Sequence, residues 1–212
     1  MTKKSLTARI SATIGIVDYN AGNIKSVEKA CQKLSNDIVL TRNKDIILSA
    51  DHVILPGVGS FGDAMEHLRE YELIPVIKEV IDKGTPFLGI CLGLQLLFDS
   101  SEESPGVEGL SIIPGKLKKI PDSEVKVPQI GWNSLDYPNK GRIFEGVKEG
   151  SFVYFVHSYY LEAEDEAVVT ATTEYGTHIH ASVEKGNVFA CQFHPEKSSE
   201  VGLKILENFL NI

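Results

Sequence analysis

The chain has 212 residues, 42% apolar and 24% charged, with a formal net charge of −8, a length that suits one well-buried domain better than two. No stretch concentrates Lys or Arg, so a nucleic-acid or anionic-membrane surface is not expected. No apolar run approaches the roughly 20 residues that span a bilayer. Met1–Thr13 is basic and free of acids but lacks the apolar stretch of a secretory signal. We expect a disordered extension at 1–13 and one domain over 14–212. Ile14–Asp18 reads as a first strand, followed by helical spacing over Gly22–Leu34. Ile38–Thr41 and His52–Leu55 read as the next strands. A long helical stretch covers Gly62–Lys83, with a bend or break expected at Pro75, which lacks a backbone donor. Pro86–Ile90 is a further strand and Leu92–Ser100 a helix. Strands apolar on both faces, alternating with helices, predict an open, mostly parallel sheet with helices on both sides.

The second half changes character. Short strands are expected at Lys116–Ile120, Gln129–Trp132, Phe152–Val156, Val168–Thr172 and His180–Glu184, separated by turn signals such as Pro138-Asn139 and Lys185-Gly186-Asn187. Val188–Phe193 reads as a buried strand and Ser198–Leu210 as a closing amphipathic helix. The expected fold is a single α/β domain with a smaller β-rich part in its second half.

Three cysteines, Cys31, Cys91 and Cys191, cannot all pair within the chain and lack metal-ligand spacing. A reducing cytoplasm suits them and leaves thiols free for chemistry. Gly89-Ile90-Cys91-Leu92-Gly93 is the cysteine form of the strand-to-helix turn that exposes a nucleophile. Its glycines let the backbone pass tightly beneath the turn. Cys91 then sits at a helix N-terminus, which favours a thiolate, and the Leu92 N–H is a natural oxyanion donor. Taken alone, Cys91 reads equally well as an inert buried cysteine; Cys31 and Cys191 read as core residues. Near the end, a buried strand delivers His194 to its C-terminal edge, where open parallel sheets place their sites. Glu196, two residues on, shares a face with His194 in extended chain and can fix its tautomer. Alone, His194-Pro195-Glu196 reads better as a strand exit before a helix; with Cys91 upstream the balance reverses and it completes a nucleophile, base and acid.

Gly57-Val58-Gly59-Ser60-Phe61-Gly62 matches G-x-G-x-x-G between a strand and a helix. A dinucleotide fingerprint belongs in the first βα turn with an acid ending the next strand. Here the loop follows the third strand and Asp82 falls inside a helical pattern, so no cofactor is expected. Such a loop can instead turn backbone N–H groups toward a developing oxyanion. His178 and His180 alternate along a strand, but two ligands without a third do not make a metal site.

Together these residues resemble the class I glutamine amidotransferases, with a Cys, His and Glu triad. Within that class the likeness is to the glutaminase subunits of imidazole glycerol phosphate synthases. It runs from about Ile14 to Ile212 and is carried by Gly89–Gln95 and His194-Pro-Glu-Lys-Ser-Ser199. Narrower marks are Asp18–Asn23, Pro56–Asp63, Gln129–Asn133 and Tyr154–Tyr159. The resemblance implies that Cys91 attacks glutamine, His194 moves protons and Glu196 holds His194. It makes Gly57, Val58, Gly59 and Leu92 the oxyanion hole. Gln95, Glu103, Ser158 and Tyr159 would grip glutamine, with Glu103 facing its α-ammonium. Asn20, Asn23, Trp132, Tyr154 and Lys197 would face a partner, a (β/α)8 cyclase that receives the ammonia in a heterodimer. The rival readings are an amidotransferase subunit for chorismate or pyridoxal phosphate synthesis, a catalytically dead regulatory module, and a hydrolase of other γ-glutamyl compounds.

Overall fold

A computed structural model describes residues 12–35, 37–123 and 125–212, and these described residues form twelve strands and six α-helices. The first half contributes β1 (Ile14–Val17), α1 (Ile24–Cys31), β2 (Ile38–Thr41), α2 (Lys44–Ser49), β3 (His52–Leu55), α3 (Phe61–Glu70), α4 (Leu73–Asp82), β4 (Phe87–Ile90) and α5 (Leu92–Gln95). The second contributes β5 (Ser100–Ser101), β6 (Gly115–Lys119), β7 (Gln129–Ser134), β8 (Phe152–His157) and β9 (Tyr159–Ala163). It closes with β10 (Val169–Glu174), β11 (His178–Lys185), β12 (Val188–Cys191) and α6 (Ser199–Leu210).

The main sheet runs β2-β1-β3-β4-β12-β11-β9-β6-β5, with β10 paired to β11. It is parallel from β2 to β12 and turns antiparallel at β11. β1, β3, β4 and β12 are buried at every position, which is why they read as continuous apolar runs rather than alternating ones. Val17, Val53, Leu55 and Phe87 pack with Phe61, Met65, Leu68 and Ile77 of α3 and α4. Ile16, Ile54, Leu88 and Ile90 pack on the other side with Val27 of α1 and Ile205 and Phe209 of α6. Each such side chain contributes about 1.5–3 kcal/mol by leaving water, and the two cores clamp the strand ends that carry the site. β7 and β8 form a separate antiparallel ribbon.

Several boundaries differ from the sequence expectation. The long helix breaks at Tyr71–Glu72, where Glu72 takes φ 51, and not at Pro75. Pro75 lies in the first turn of α4, where no backbone donor is required. The helix after Cys91 ends at Gln95 because Leu97 and Phe98 donate to residues three back, to Leu94 and Gln95, a tightening that closes a helix. α2 went unread because it is six residues long; the Asn43 side chain caps it by accepting from the N–H groups of Asp45 and Ile46. β9 was also unread. Residues 1–11 of the expected extension lie outside the described residues, and Thr13 is bound to Asp51 and Asp37. Among the described residues no helix is long and apolar enough to cross a membrane.

Candidate active site

β4 and β12 are hydrogen-bonded neighbours, in register at Ile90 and Cys191. Their C-terminal ends therefore bring Cys91 and His194 together although the two lie far apart in sequence. Cys91 occupies φ 54, ψ −106, an unusual conformation for a residue with a side chain. Its N–H donates to Cys191 O at 2.8 Å, and its carbonyl accepts from Leu94 and Gln95 as α5 begins. The flanking glycines serve close approach. A Cβ on Gly93 would stand 1.8 Å from the Leu55 carbonyl, and one on Gly89 2.6 Å from the Gly93 carbonyl.

His194 is 1% exposed. Its Nδ1–H donates to Glu196 Oε1 at 2.8 Å, and its Nε2 makes no hydrogen bond in the resting arrangement. Burial by itself lowers the pKa of this imidazole, but the adjacent Cys91 sulfur and the Glu196 carboxylate outweigh it and push it up to about 9. The same Glu196 oxygen accepts from Asn23 Nδ2 at 2.8 Å. Asn23, expected on the partner-facing surface, reaches Glu196 from the left-handed position (φ 65) that precedes α1.

A cleft of about 250 Å³ opens beside Cys91, lined in part by Val58, Gly59, Leu92, Gln95, Glu103, Ser158 and Tyr159. Each of these was expected from sequence to bind substrate or form the oxyanion hole. Glu103 Oε2 accepts from the Phe61 N–H at 2.7 Å, which anchors the carboxylate at the start of α3. Gly57 does not line the cleft. Its carbonyl accepts from the Leu92 N–H at 3.3 Å, so that donor is occupied. Tyr19 covers the loop: a Cβ on Gly57 would meet its hydroxyl oxygen at 2.0 Å. That hydroxyl is buried without a hydrogen-bond partner.

Four groups here were not singled out from sequence. Gln192, fully buried, donates from Nε2 to Cys91 Sγ at 3.7 Å, and Gln95 Nε2 donates to Gln192 Oε1 at 3.0 Å. His157 donates from Nδ1 to the Tyr159 carbonyl at 2.9 Å, and its Nε2 lies 2.8 Å from Gln129 Oε1. Burial, together with charge on His194, lowers the His157 pKa to about 4 despite the Tyr159 carbonyl. A neutral ring protonated on Nδ1 accepts at Nε2, and a half-turn of the Gln129 amide, which exchanges its oxygen for its NH2 group, satisfies both. The fourth is Tyr19. The available signal was a polar residue inside an apolar strand end, clearest in Cys191-Gln192-Phe193.

Trp132, Tyr154 and Lys197 cluster beside the triad. The Trp132 and Tyr154 rings meet edge-on at 5.9 Å, and Lys197 Nζ lies 6.0 Å from the Tyr154 ring centroid. The Tyr154 carbonyl accepts from the His194 N–H at 2.9 Å. Asn20 is exposed on the neighbouring loop.

An elbow cysteine and a carboxylate-held histidine on this sheet order form the arrangement expected of a triad amidohydrolase. Residues 15–212 match the model of the glutamine amidotransferase class-I family, and the chain belongs to that family. Within it the similarity extends to proteins named imidazole glycerol phosphate synthase subunit HisH. That of Moorella thermoacetica is 50% identical over 196 residues, 92% of this chain and 93% of its own. That of Aquifex aeolicus is 50% identical over 195 residues, 92% and 94%; that of Methanocaldococcus jannaschii is 48% identical over 199 residues, 94% and 99%. Solved structures share the fold. A glutamine amidotransferase superposes with TM-score 0.73 at 20% identity, covering 94% of this chain and all of its own. The glutaminase domain of Trypanosoma brucei CTPS gives 0.65 at 16% identity, covering 95% and 94%.

Proposed function

We propose that this chain hydrolyses glutamine to glutamate and ammonia as the glutaminase subunit of an imidazole glycerol phosphate synthase, acting through Cys91, His194 and Glu196. The observation that carries the reading is the strained elbow of Cys91 beside an imidazole held by Glu196 at 2.8 Å. The Cys91 thiolate attacks the side-chain amide carbon of glutamine. His194 gives its proton to the departing nitrogen as the C–N bond breaks, leaving ammonia and a glutamyl thioester. Water then attacks the thioester, His194 takes its proton, and glutamate leaves with the thiol restored. Glu103, anchored on the Phe61 N–H, receives the substrate α-ammonium, and Ser158 and Tyr159 close the same cleft.

The tetrahedral oxyanion needs donors from Leu92 and the Gly57-Val58-Gly59 loop. With Leu92 N–H bonded to the Gly57 carbonyl, the hole is incomplete at rest. Losing one such donor costs about 10²–10³ in rate. A partner that turns the Gly57 peptide away would switch the enzyme on. The proposed partner is a (β/α)8 cyclase that uses the ammonia to form imidazole glycerol phosphate and an aminoimidazole carboxamide ribotide, in the cytoplasm. The docking surface proposed for it is the outer face of the β7–β8 ribbon with Asn20, Asn23 and Lys197. Ile130, Trp132 and Phe152 are 63%, 51% and 56% exposed there, the most exposed large apolar side chains among the described residues.

The test measures glutamate release by the chain alone, with the cyclase, and with the cyclase and its nucleotide. Activity should rise by about 10² or more at the last step. Cys91→Ala in the complex should abolish glutamine-dependent synthesis and leave synthesis from added ammonia intact. Loss of both activities in a folded complex sinks the division of labour. A lone chain already at full rate sinks the switch.

A further inference from the structure

The polar groups behind Cys91 can be oriented from a single atom. The Tyr159 backbone carbonyl can only accept hydrogen bonds. Gln95 Nε2 lies 3.1 Å from it and 3.0 Å from Gln192 Oε1, so both Gln95 amide hydrogens are committed as donors. Gln192 must then turn its own NH2 group toward the nucleophile, with Nε2 3.7 Å from Cys91 Sγ. Flipping the Gln192 amide would set NH2 against NH2 at Gln95 and leave a carbonyl oxygen against the sulfur.

We propose that Gln192 is a further catalytic residue: its amide donates a hydrogen bond to the Cys91 thiolate and is held in that orientation by Gln95 and the Tyr159 carbonyl. The inference rests on Cys91 being the nucleophile. The surroundings of the sulfur show why a donor is needed there. The Cys91 thiol donates to the Val156 carbonyl at 3.8 Å. Once the proton leaves, that carbonyl dipole opposes the negative sulfur. Tyr19, Cys191 and His194 feel the Cys91 charge directly, Glu196 and a neutral His157 flank His194, and Glu103 and Tyr159 line the same cleft. Of these His194 alone brings positive charge, and it must give up a proton during turnover. Gln192 remains a donor throughout. It is fully buried, and a buried amide is tolerated when its polar atoms are paired. The arrangement also defines what Gln95 can offer a substrate. With its NH2 committed, only its Oε1 is available, so Gln95 accepts a hydrogen bond from bound glutamine.

The experiment follows alkylation of Cys91 by iodoacetamide in the full-length chain across pH, located by mass spectrometry of the Cys91 peptide. Glutamate release with cyclase and nucleotide is measured on the same samples. Gln192→Leu should alkylate about tenfold more slowly at neutral pH and reach the wild-type rate at the alkaline plateau, since a hydrogen bond to a charged group is worth about that factor or more. Gln95→Met, which frees Gln192 to rotate, should move the profile in the same direction. Gln192→Glu, which sets a carboxylate against the sulfur, should move it further. Unchanged profiles in Gln192→Leu and Gln95→Met overturn the proposal, as does an equal slowing at every pH, the mark of a packing defect. If Gln192→Leu does not fold, Gln192→Glu and Gln95→Met decide by the same readout. Alkylated wild type must stop releasing glutamate. Continued release removes Cys91 as nucleophile and the proposal with it, whereas lost release with unchanged profiles removes the role of Gln192 alone.

Discussion

Glu196 serves two neighbours with one oxygen. Its Oε1 accepts from His194 Nδ1 and from Asn23 Nδ2, each at 2.8 Å, while Oε2 is buried without a partner. A glutamine at this position can keep its carbonyl oxygen facing both donors, because Asn23 offers its NH2 group there. The His194 tautomer then survives and only the carboxylate charge is lost. Glu196→Gln should therefore slow glutamate release in the activated complex by roughly 10–100-fold, less than the 10²–10⁴ lost with a general acid–base group in His194→Ala. Steady-state rates at saturating glutamine check this. Equal losses in the two variants would mean that the charge matters as much as the imidazole. The pair itself was legible in sequence, since a two-residue spacing in extended chain puts both side chains on one face. Asn23 as a third member was not, because its partner is 173 residues away.

The β7–β8 ribbon has an inner and an outer face. Phe155 and Val153 point inward to the core shared with α6. The paired positions Ile130 and Val156, Trp132 and Tyr154, and Ser134 and Phe152 share the outer face. Trp132 is 51% exposed and its only ring contact among the described residues is the edge-on one with Tyr154, so its removal should leave the fold unchanged. Interface tryptophans are frequent binding hot spots, and truncation there costs about 2 kcal/mol or more. Trp132→Ala should weaken cyclase binding by roughly 30-fold or more, measured by calorimetric titration with thermal stability as the control. Unchanged affinity would move the docking surface elsewhere. At this scale the sequence displayed apolar and polar residues in both ribbon strands, but which face is covered depends on what lies beneath them. The break between α3 and α4 is similar. Pro75 signalled an interruption, yet the left-handed residue Glu72 makes it, and a proline in a first turn interrupts nothing.

For the molecule as a whole, buried histidines set the response to pH. His157 is 6% exposed, and its pKa is lowered by burial to about 4. Between about 4 and 6.5 the unfolded chain binds a proton that the folded chain refuses, so stability falls as pH drops through that window. The fall from pH 6.5 to 5 is on the order of 2 kcal/mol for this one group. His52 and His180, also lowered by burial, act in the same direction. His194 has the opposite sign. Its pKa, raised to about 9, gives a contribution fully present below 6.5 that fades as pH rises toward 9. Stability should therefore be greatest near neutrality. His157→Gln, which does not titrate, should flatten the loss between pH 6.5 and 5 by roughly half or more, read from urea midpoints at each pH. An unaltered slope would show that His157 is not the group responsible.

By itself the sequence determined the parallel half of the sheet, the elbow at Cys91, the His194–Glu196 pair and most of the cleft lining. These are local properties: apolar runs, glycines at fixed offsets and a two-residue period each act within a few residues of chain. The tertiary structure alone decided which polar groups face the sulfur, that the Gly57 carbonyl occupies the Leu92 donor, and that Asn23 reaches Glu196. Gln95 and Gln192 are 97 residues apart and meet because β4 and β12 are neighbours in the sheet. Their amide orientations follow from a carbonyl on β9, beyond β12 and β11 in the strand order. A hydrogen-bond direction that depends on three separate strands leaves no periodic or local trace in the chain, so only packing could assign it.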